Sequence, residues 1–331
     1  MGIPLHMVAL AESVIPVSAR GHLRPVNSLR DLRVIADLIE LCFQDTLDLD
    51  GQDYLRELRS SADNTRFLSW ASPLFDNTED SGYVWEEGGR IVGNLSLIPI
   101  QSKGRNCLLI ANVAIHPDFR GKGIGRTLTT TAIEYARRRK LPVVWLQVRK
   151  DNPIAVNLYR SLGFRDHSLR TTWQSNPTLP SLPVPGSLRF GPRRSAHWPE
   201  QRSWLERLYP AELAWHLTVD WQALRPGLRG SVYRIFSLNY PRHWIVERDD
   251  QLLGAVTWIQ TPTRSDPLLL SLPPLANVEA VQTLLQQARQ QLSTKRLLTL
   301  NFPAGVADES IRSAGFSAEY TLIWMELPLH S

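Results

Sequence analysis

The chain has 331 residues, of which 43% are hydrophobic and 21% charged, so it has room for two ordinary domains and is too apolar for a disordered or fibrous class. It has only two cysteines, Cys42 and Cys107, which excludes a disulfide scaffold and a cysteine-built zinc site; no metal is expected, and no apolar run approaches the roughly 18 residues of a membrane span. The net charge of +5 forms no concentrated stripe, so a small anionic ligand at one site is expected rather than nucleic acid.

Residues 1–20 read as a loose tail. They lack a basic n-region and carry Glu12 and Pro16, so no secretory signal is expected and the reading is a soluble cytoplasmic protein. His22 to Val26 is a strand candidate. Leu32, Ile35, Leu38, Ile39 and Cys42 have helical spacing within 29–42, and 53–61 is a second, short helix. Residues 82–86 and 90–100 form two strands around the turn at Glu87-Gly88-Gly89, and 107–115 is another strand. Then come a helix over 124–139, a strand over 143–149, a helix over 153–162 with proline in its first turn, and strand character over 164–173. The basic run from Arg137 to Lys140 complements a helix C-terminus. This order predicts a mixed α/β sheet.

The stretch 176–186, NPTLPSLPVPG, reads as an extended linker, because proline removes backbone donors and fixes φ. Beyond it the pattern repeats. Val84-Trp85-Glu86 matches Ile245-Val246-Glu247, and each glutamate is followed seven residues later by glycine, Gly93 and Gly254. Arg160-Ser161-Leu162-Gly163-Phe164 likewise matches Arg312-Ser313-Ala314-Gly315-Phe316. Between the two matches the second half is nine residues shorter, with a helix over 278–292 and a strand over 296–301 in the expected places. An internal duplication with a deletion accounts for both matches.

The segment most informative about chemistry is Val113-Ala114-Ile115-His116-Pro117-Asp118-Phe119-Arg120-Gly121-Lys122-Gly123-Ile124-Gly125-Arg126. A strand ends, a proline stops it, and a glycine-rich loop opens a helix. Glycines let backbone N–H groups face a ligand closely, the helix start adds free N–H groups and a positive dipole end, and Arg120, Lys122 and Arg126 add charge. Together they predict a pyrophosphate cradle. There is no Gly-Lys-Ser/Thr for a P-loop, and the loop comes too late in the strand order for a dinucleotide fold.

This segment resembles motif A of the GNAT N-acetyltransferases, Arg/Gln-x-x-Gly-x-Gly/Ala. A second block, Leu146 to Arg149, Asp151-Asn152, Ala155 and Leu158 to Phe164, resembles motif B of the same family, at the right order and separation. The motifs are similar to those of ribosomal-protein N-terminal acetyltransferases. The likeness runs from about Val84 to Phe164 and is weaker over Leu23 to Cys42. The second half is similar to a degenerate copy, as in tandem-GNAT enzymes. The resemblance implies two tandem acyl-CoA N-acyltransferase folds of the α/β class: a catalytic, acetyl-CoA-binding domain over 21–175, the linker over 176–186, and a degenerate domain over 187–331 without the pyrophosphate loop.

The resemblance also implies roles. Backbone groups of Val113, Ala114 and Ile115 would bind the pantetheine arm and polarise the thioester carbonyl, while the side chains of Val113 and Ile115 pack as core. Arg120, Gly121, Lys122, Gly123, Ile124, Gly125 and Arg126 would hold the pyrophosphate. Asn152 would contact pantetheine; it would also cap the helix that starts at Pro153. Tyr159 would protonate the departing thiolate, a role open to a phenol with a pKa of about 10; the alternative is a plain core tyrosine. The expected reaction is direct transfer of acetyl from acetyl-CoA to a primary amine, on a small molecule or a peptide, in a ternary complex. The alternative is a non-catalytic acyl-CoA-binding module. The acceptor and the oligomeric state are left open.

The general base is not legible. No carboxylate lies between Glu87 and Asp118; Asn112 sits near the end of the strand before the loop, and Gln147 replaces an acid seen in some relatives. Candidates are Glu86, Asp45, Asp48, Asp50, Asp53, His116, His243, Glu247 or a relayed water. A covalent cysteine is not expected, because Cys107 begins its strand and Cys42 has helix-core spacing.

Overall fold

The computed structural model describes residues 21–44, 47, 49–61, 81–176, 185–213, 215, 221–227, 241–261, 264–292 and 296–329. The expected tail, most of the linker, Asp45, Asp48 and the Asp50 side chain lie outside the described residues.

The first half runs β1 (His22–Pro25), α1 (Leu32–Phe43), α2 (Leu49–Ser61), β2 (Gly82–Glu87), β3 (Arg90–Ser102), β4 (Arg105–Ile115), α3 (Ile124–Arg138), β5 (Val143–Arg149), α4 (Pro153–Ser161) and β6 (Arg165–Ser175). The second runs β7 (Arg189–Pro192), α5 (Trp198–Leu208), α6 (Trp221–Leu224), β8 (Arg242–Arg248), β9 (Gln251–Trp258), β10 (Ser265–Ser271), α7 (Val278–Leu292), β11 (Leu297–Pro303), α8 (Asp308–Ser313) and β12 (Phe316–Pro328). The helix expected from Leu29 begins three residues later. Asp31 Oδ2 accepts the Asn27 N–H at 2.7 Å and Asn27 Oδ1 accepts the Leu29 N–H at 3.0 Å, so a side-chain-closed turn occupies that stretch.

All twelve strands share one sheet in the order β1-β2-β3-β4-β5-β12-β6-β11-β10-β9-β8-β7. Each half therefore ends in a strand that pairs into the other. β12 lies antiparallel to β5, with Ile323 opposite Val148 and Leu327 opposite Val144, and β6 lies antiparallel to β11, with Leu300 opposite Trp173. The exchanged strands pair with each other from Phe316↔Ser175 to Glu326↔Arg165. This reciprocal exchange pairs the inner edge of each half with backbone from the other.

Alternation along the first-half strands sends residues to two faces. On one, Leu95, Leu97, Leu108, Ile110, Val144 and Leu146 pack with Ile124, Leu128 and Ala132 of α3 and with Val156 and Tyr159 of α4. On the other, Val84 and Ala114 meet Ile35, Ala36, Leu38 and Ile39 of α1 and Leu55 of α2. A further cluster joins the halves on this second face: Ile100, Cys107 and Trp145 pack with Leu213 and Trp324. Each such side chain contributes on the order of 1.5–3 kcal/mol by leaving water.

The halves correspond in detail. A Cβ on Gly93 would meet Ile124 Cγ2 at 2.9 Å and Ile115 Cδ1 at 3.2 Å; a Cβ on Gly254 would meet Leu284 Cδ1 at 2.8 Å and Leu272 Cδ2 at 3.1 Å. Each glycine thus admits the long helix and the end of the neighbouring strand. Asn94 pairs with Ala114, and Ala255 pairs with Ser271. Val113, Ala114 and Ile115 accordingly correspond to Leu270, Ser271 and Leu272. Among the described residues no helix is long and apolar enough to cross a membrane.

Candidate active site

The site begins where two parallel strands part. β4 and β5 pair only through Leu108↔Val144, Leu109↔Trp145 and Ile110↔Leu146, although β4 continues to Ile115 and β5 to Arg149. Beyond Ile110 and Leu146 the strands diverge and leave a wedge. Along this parted stretch β4 is bulged against β3 on its other edge: Asn94 faces Ala114 and Ser96 faces Ala111, so Asn112 and Val113 together oppose Leu95. Asn112 sits there at φ 50°, in the left-handed region. The His116 N–H donates to Val92 O on β3, so alternation turns the N–H and C=O of Ile115, and of Val113 two residues earlier, towards the wedge.

The glycine loop follows directly. Pro117–Phe119 form a single 3₁₀ turn capped by His116, whose Nδ1 accepts the Asp118 N–H at 3.3 Å. Gly121 and Gly123 have φ of 77° and 81°, and a Cβ on either would meet nothing within 4 Å. Conformation, not space, requires glycine there. Gly123 is the N-cap of α3 and no side chain caps the helix, so its first amides face the exposed loop. Lys122 Nζ lies 4.3 Å over the Phe119 ring. Arg120 Nε donates to Ile115 O at 3.1 Å, and Arg126 Nη2 donates to Ser161 Oγ at 2.7 Å, tying α3 to α4. The loop, Val113 to Ile115 and α4 thus meet at one end of the wedge.

On α4, Asn152 caps the helix through Oδ1, which accepts the Ala155 N–H at 3.1 Å. Tyr159 is buried and stands edge-on to Phe164, with ring centres 6.0 Å apart. Burial pushes its phenol up to about 12. A group held there stays neutral throughout the physiological range. Cys42, expected as helix core, lies half-buried with its thiol donating to Ile115 O at 3.2 Å; burial raises its pKa, so the thiol stays protonated.

The described candidates for a general base are engaged elsewhere. Glu86 accepts Arg24 Nε at 2.7 Å, and this guanidinium holds its carboxyl below the usual range. Both line an open groove of about 520 Å³ beside α1. Asp53 pairs with Arg56 and, at 3.3 Å, with Arg264 from the second half. His116 is a cap, as above. His243 Nδ1 lies 2.9 Å from Thr257 Oγ1. Glu247 is buried among Arg189, Arg194 and His197 at 2.6–2.7 Å. At the wedge itself stands a neutral cluster: Asn112 Nδ2 donates to Tyr54 OH at 3.0 Å and to Ser96 Oγ at 3.3 Å, and Asn94 Nδ2 donates to Asn112 O at 2.9 Å. None of this cluster was legible as a site residue: Asn112 was noted only for its place near the strand end, and Tyr54, Asn94 and Ser96 carry no motif and are joined to it only by the bulge.

The second half has the same parting of strands. β10 and β11 pair only from Ser265↔Leu297 to Pro267↔Thr299. Its wedge is closed from within. Leu270, the counterpart of Val113, donates its N–H to Tyr209 OH at 3.2 Å, and Leu272 O, the counterpart of Ile115 O, accepts Arg207 Nη2 at 2.5 Å. Tyr209 is buried against Phe302 and lies under the Arg170 guanidinium, 5.0 Å from its ring. β10 runs without a bulge from Leu268↔Trp258 to Ser271↔Ala255. Ile311 occupies the place of Tyr159.

Residues 40–164 match the model of the Acetyltransferase (GNAT) family. The chain is 36% identical over 111 residues to an uncharacterized N-acetyltransferase of Methanocaldococcus jannaschii, covering 32% of this chain and 47% of that protein. It thus spans less than half the length of this curated relative. Among solved structures, a GCN5-related N-acetyltransferase from Sphaerobacter thermophilus superposes with a TM-score of 0.60 at 15% identity, over 94% of this chain and 96% of that one. A tandem GNAT protein from the clavulanic acid biosynthesis pathway superposes with a TM-score of 0.53 at 16% identity, over 94% and 99%. The chain therefore carries the mixed α/β sheet fold of the GNAT acetyltransferases, in an arrangement consistent with two tandem units.

Proposed function

We propose that the first half, 21–175, binds acetyl-CoA at the β4–β5 wedge and transfers its acetyl group directly to a primary amine, and that the second half, 187–331, is a degenerate copy that binds no CoA. The observation that carries this reading is the contrast between the wedges: one is open, bulged and fed by an uncapped glycine-led helix start, and the other is closed by Tyr209 and Arg207.

The residues present fit the co-substrate. The amides at the start of α3, with Gly121 and Gly123 in left-handed conformations, suit a pyrophosphate, and Lys122 and Arg126 lie beside them. The wedge-facing backbone of Val113 and Ile115 suits the pantetheine arm, and Asn152 stands at the head of α4. On this reading the Val113 N–H takes up negative charge on the thioester oxygen as it develops. The amine nitrogen bonds to the carbonyl carbon, the C–S bond breaks, the nitrogen sheds a proton to water, and Tyr159 supplies a proton to sulfur before solvent restores it. A phenol near 12 gives this proton only to a strongly basic, desolvated thiolate, which suits donation late in bond cleavage. With the candidate carboxylates Glu86, Asp53 and Glu247 engaged elsewhere, a water relay removes the amine proton.

The test is release of free CoA thiol with a panel of small primary amines and peptide N-termini. Amine-dependent release, matched by acetylated product, supports transfer. Tight acetyl-CoA binding with no turnover on any amine favours the non-catalytic binding module.

A further inference from the structure

We propose that Asn94 is a positioning residue for acetyl transfer: from β3 it fixes the Asn112–Val113 bulge, and the bulge aims the Val113 N–H at the thioester carbonyl. The inference rests on the transfer reading above.

Asn94 is only 1% exposed, and among the described residues its side chain makes one hydrogen bond, from Nδ2 to Asn112 O at 2.9 Å. Its Oδ1 is buried and has no partner among the described residues. A buried amide oxygen without a donor destabilises a fold, and so does a non-glycine residue held at φ 50°. Both costs meet at one point, and a regular β3–β4 ladder would need neither. Asn112 is held there on three sides, by Asn94 at its carbonyl and by Tyr54 and Ser96 at its amide.

The second half serves as an internal control. Ala255 stands in the place of Asn94, β10 passes it in regular register, and the amide corresponding to Val113 N–H bonds to Tyr209. Asparagine, bulge and open wedge occur together in one half and are absent together in the other. Without Asn94 the Asn112 carbonyl loses its cross-strand anchor, and the bulge relaxes towards the regular ladder seen around Ala255.

The test measures binding of acetyl-CoA and of free CoA to the full chain by calorimetry, with kcat and KM on any amine the wild type accepts. In Asn94→Ala, preference for acetyl-CoA over CoA is lost, CoA affinity stays within about twofold, and kcat falls about tenfold or more with KM little changed. The thermal midpoint changes little, because removal of an unsatisfied buried oxygen offsets loss of the bond to the Asn112 carbonyl. Adding Asn112→Gly restores part of kcat, since glycine holds a left-handed bulge without side-chain support. An unchanged acetyl-CoA preference and kcat in Asn94→Ala would overturn the proposal, as would a loss that tracks a lowered midpoint and weaker CoA binding. If the wild type binds neither ligand, the transfer reading itself fails.

Discussion

Alanine and glutamate at Gly123 separate backbone strain from charge at the proposed pyrophosphate cradle. Gly123 sits at φ 81°, ψ −1° and a Cβ there meets nothing within 4 Å, so alanine adds conformational strain alone, about 1 kcal/mol. Glutamate adds the same strain and one negative charge beside the helix start. Against a phosphate charge about 5 Å away, repulsion amounts to about 0.8 kcal/mol at a dielectric of 80 and about 3.3 kcal/mol at 20. With about 1.4 kcal/mol per tenfold, and two phosphates in reach, the Kd for acetyl-CoA rises about ten- to a thousandfold in Gly123→Glu. In Gly123→Ala it stays within about threefold. The thermal midpoints of the two variants agree, and the gap in Kd narrows as salt is raised, because the loop is exposed. Calorimetry at low and high salt with parallel melting curves reads all three quantities. Equal Kd values for the two variants, or wild-type binding by Gly123→Glu, would remove the phosphate from this loop.

Tyr159→Phe keeps the ring against Phe164 and loses only the hydroxyl, so kcat falls about a hundredfold while acetyl-CoA affinity and melting temperature hold; a matching loss of affinity would make Tyr159 plain core. Tyr159 and Tyr209 are both pushed up to about 12 by burial, so the folded chain keeps protons that the unfolded chain releases above about pH 10. Their contribution is complete below pH 10 and is lost as pH rises from about 10 to 12, at most about 2.7 kcal/mol each, and denaturant titrations show a shallower decline in each Tyr→Phe variant. Tyr209→Phe leaves the buried Leu270 N–H without its acceptor and lowers stability by about 1–3 kcal/mol, yet creates no second acetyl-CoA site; a second site in calorimetry would contradict the closed wedge. Cleavage of the chain within 176–186 leaves the halves together in gel filtration, because β6 and β12 each pair into the other half; separation into two species would refute the exchange.

Local signals carried much of this fold. The strand over 143–149 and the helix over 278–292 have the bounds expected from alternation and helical spacing, and the glycine loop was legible because left-handed turns demand glycine. Two features were not legible. The exchange of β6 and β12 leaves no local mark, since a strand alternates in the same way whichever neighbour it pairs with; Leu322 to Pro328 would read alike beside β5 or beside β11. The Tyr54–Ser96–Asn112–Asn94 cluster depends on a bulge, a choice of register made by tertiary contacts, and so its members are scattered over three elements with no spacing to join them. The closed second wedge could be anticipated from its missing glycines but not from Tyr209, which reaches β10 from the end of α5.

Hydrogen exchange of the full chain with and without acetyl-CoA tests the central claim most directly, because it reports where the ligand lies as well as whether it binds. The account predicts slowed exchange over 113–126 and at the head of α4, with no change over 268–278. Protection over 268–278, or binding without protection of the 121–126 amides, would contradict it.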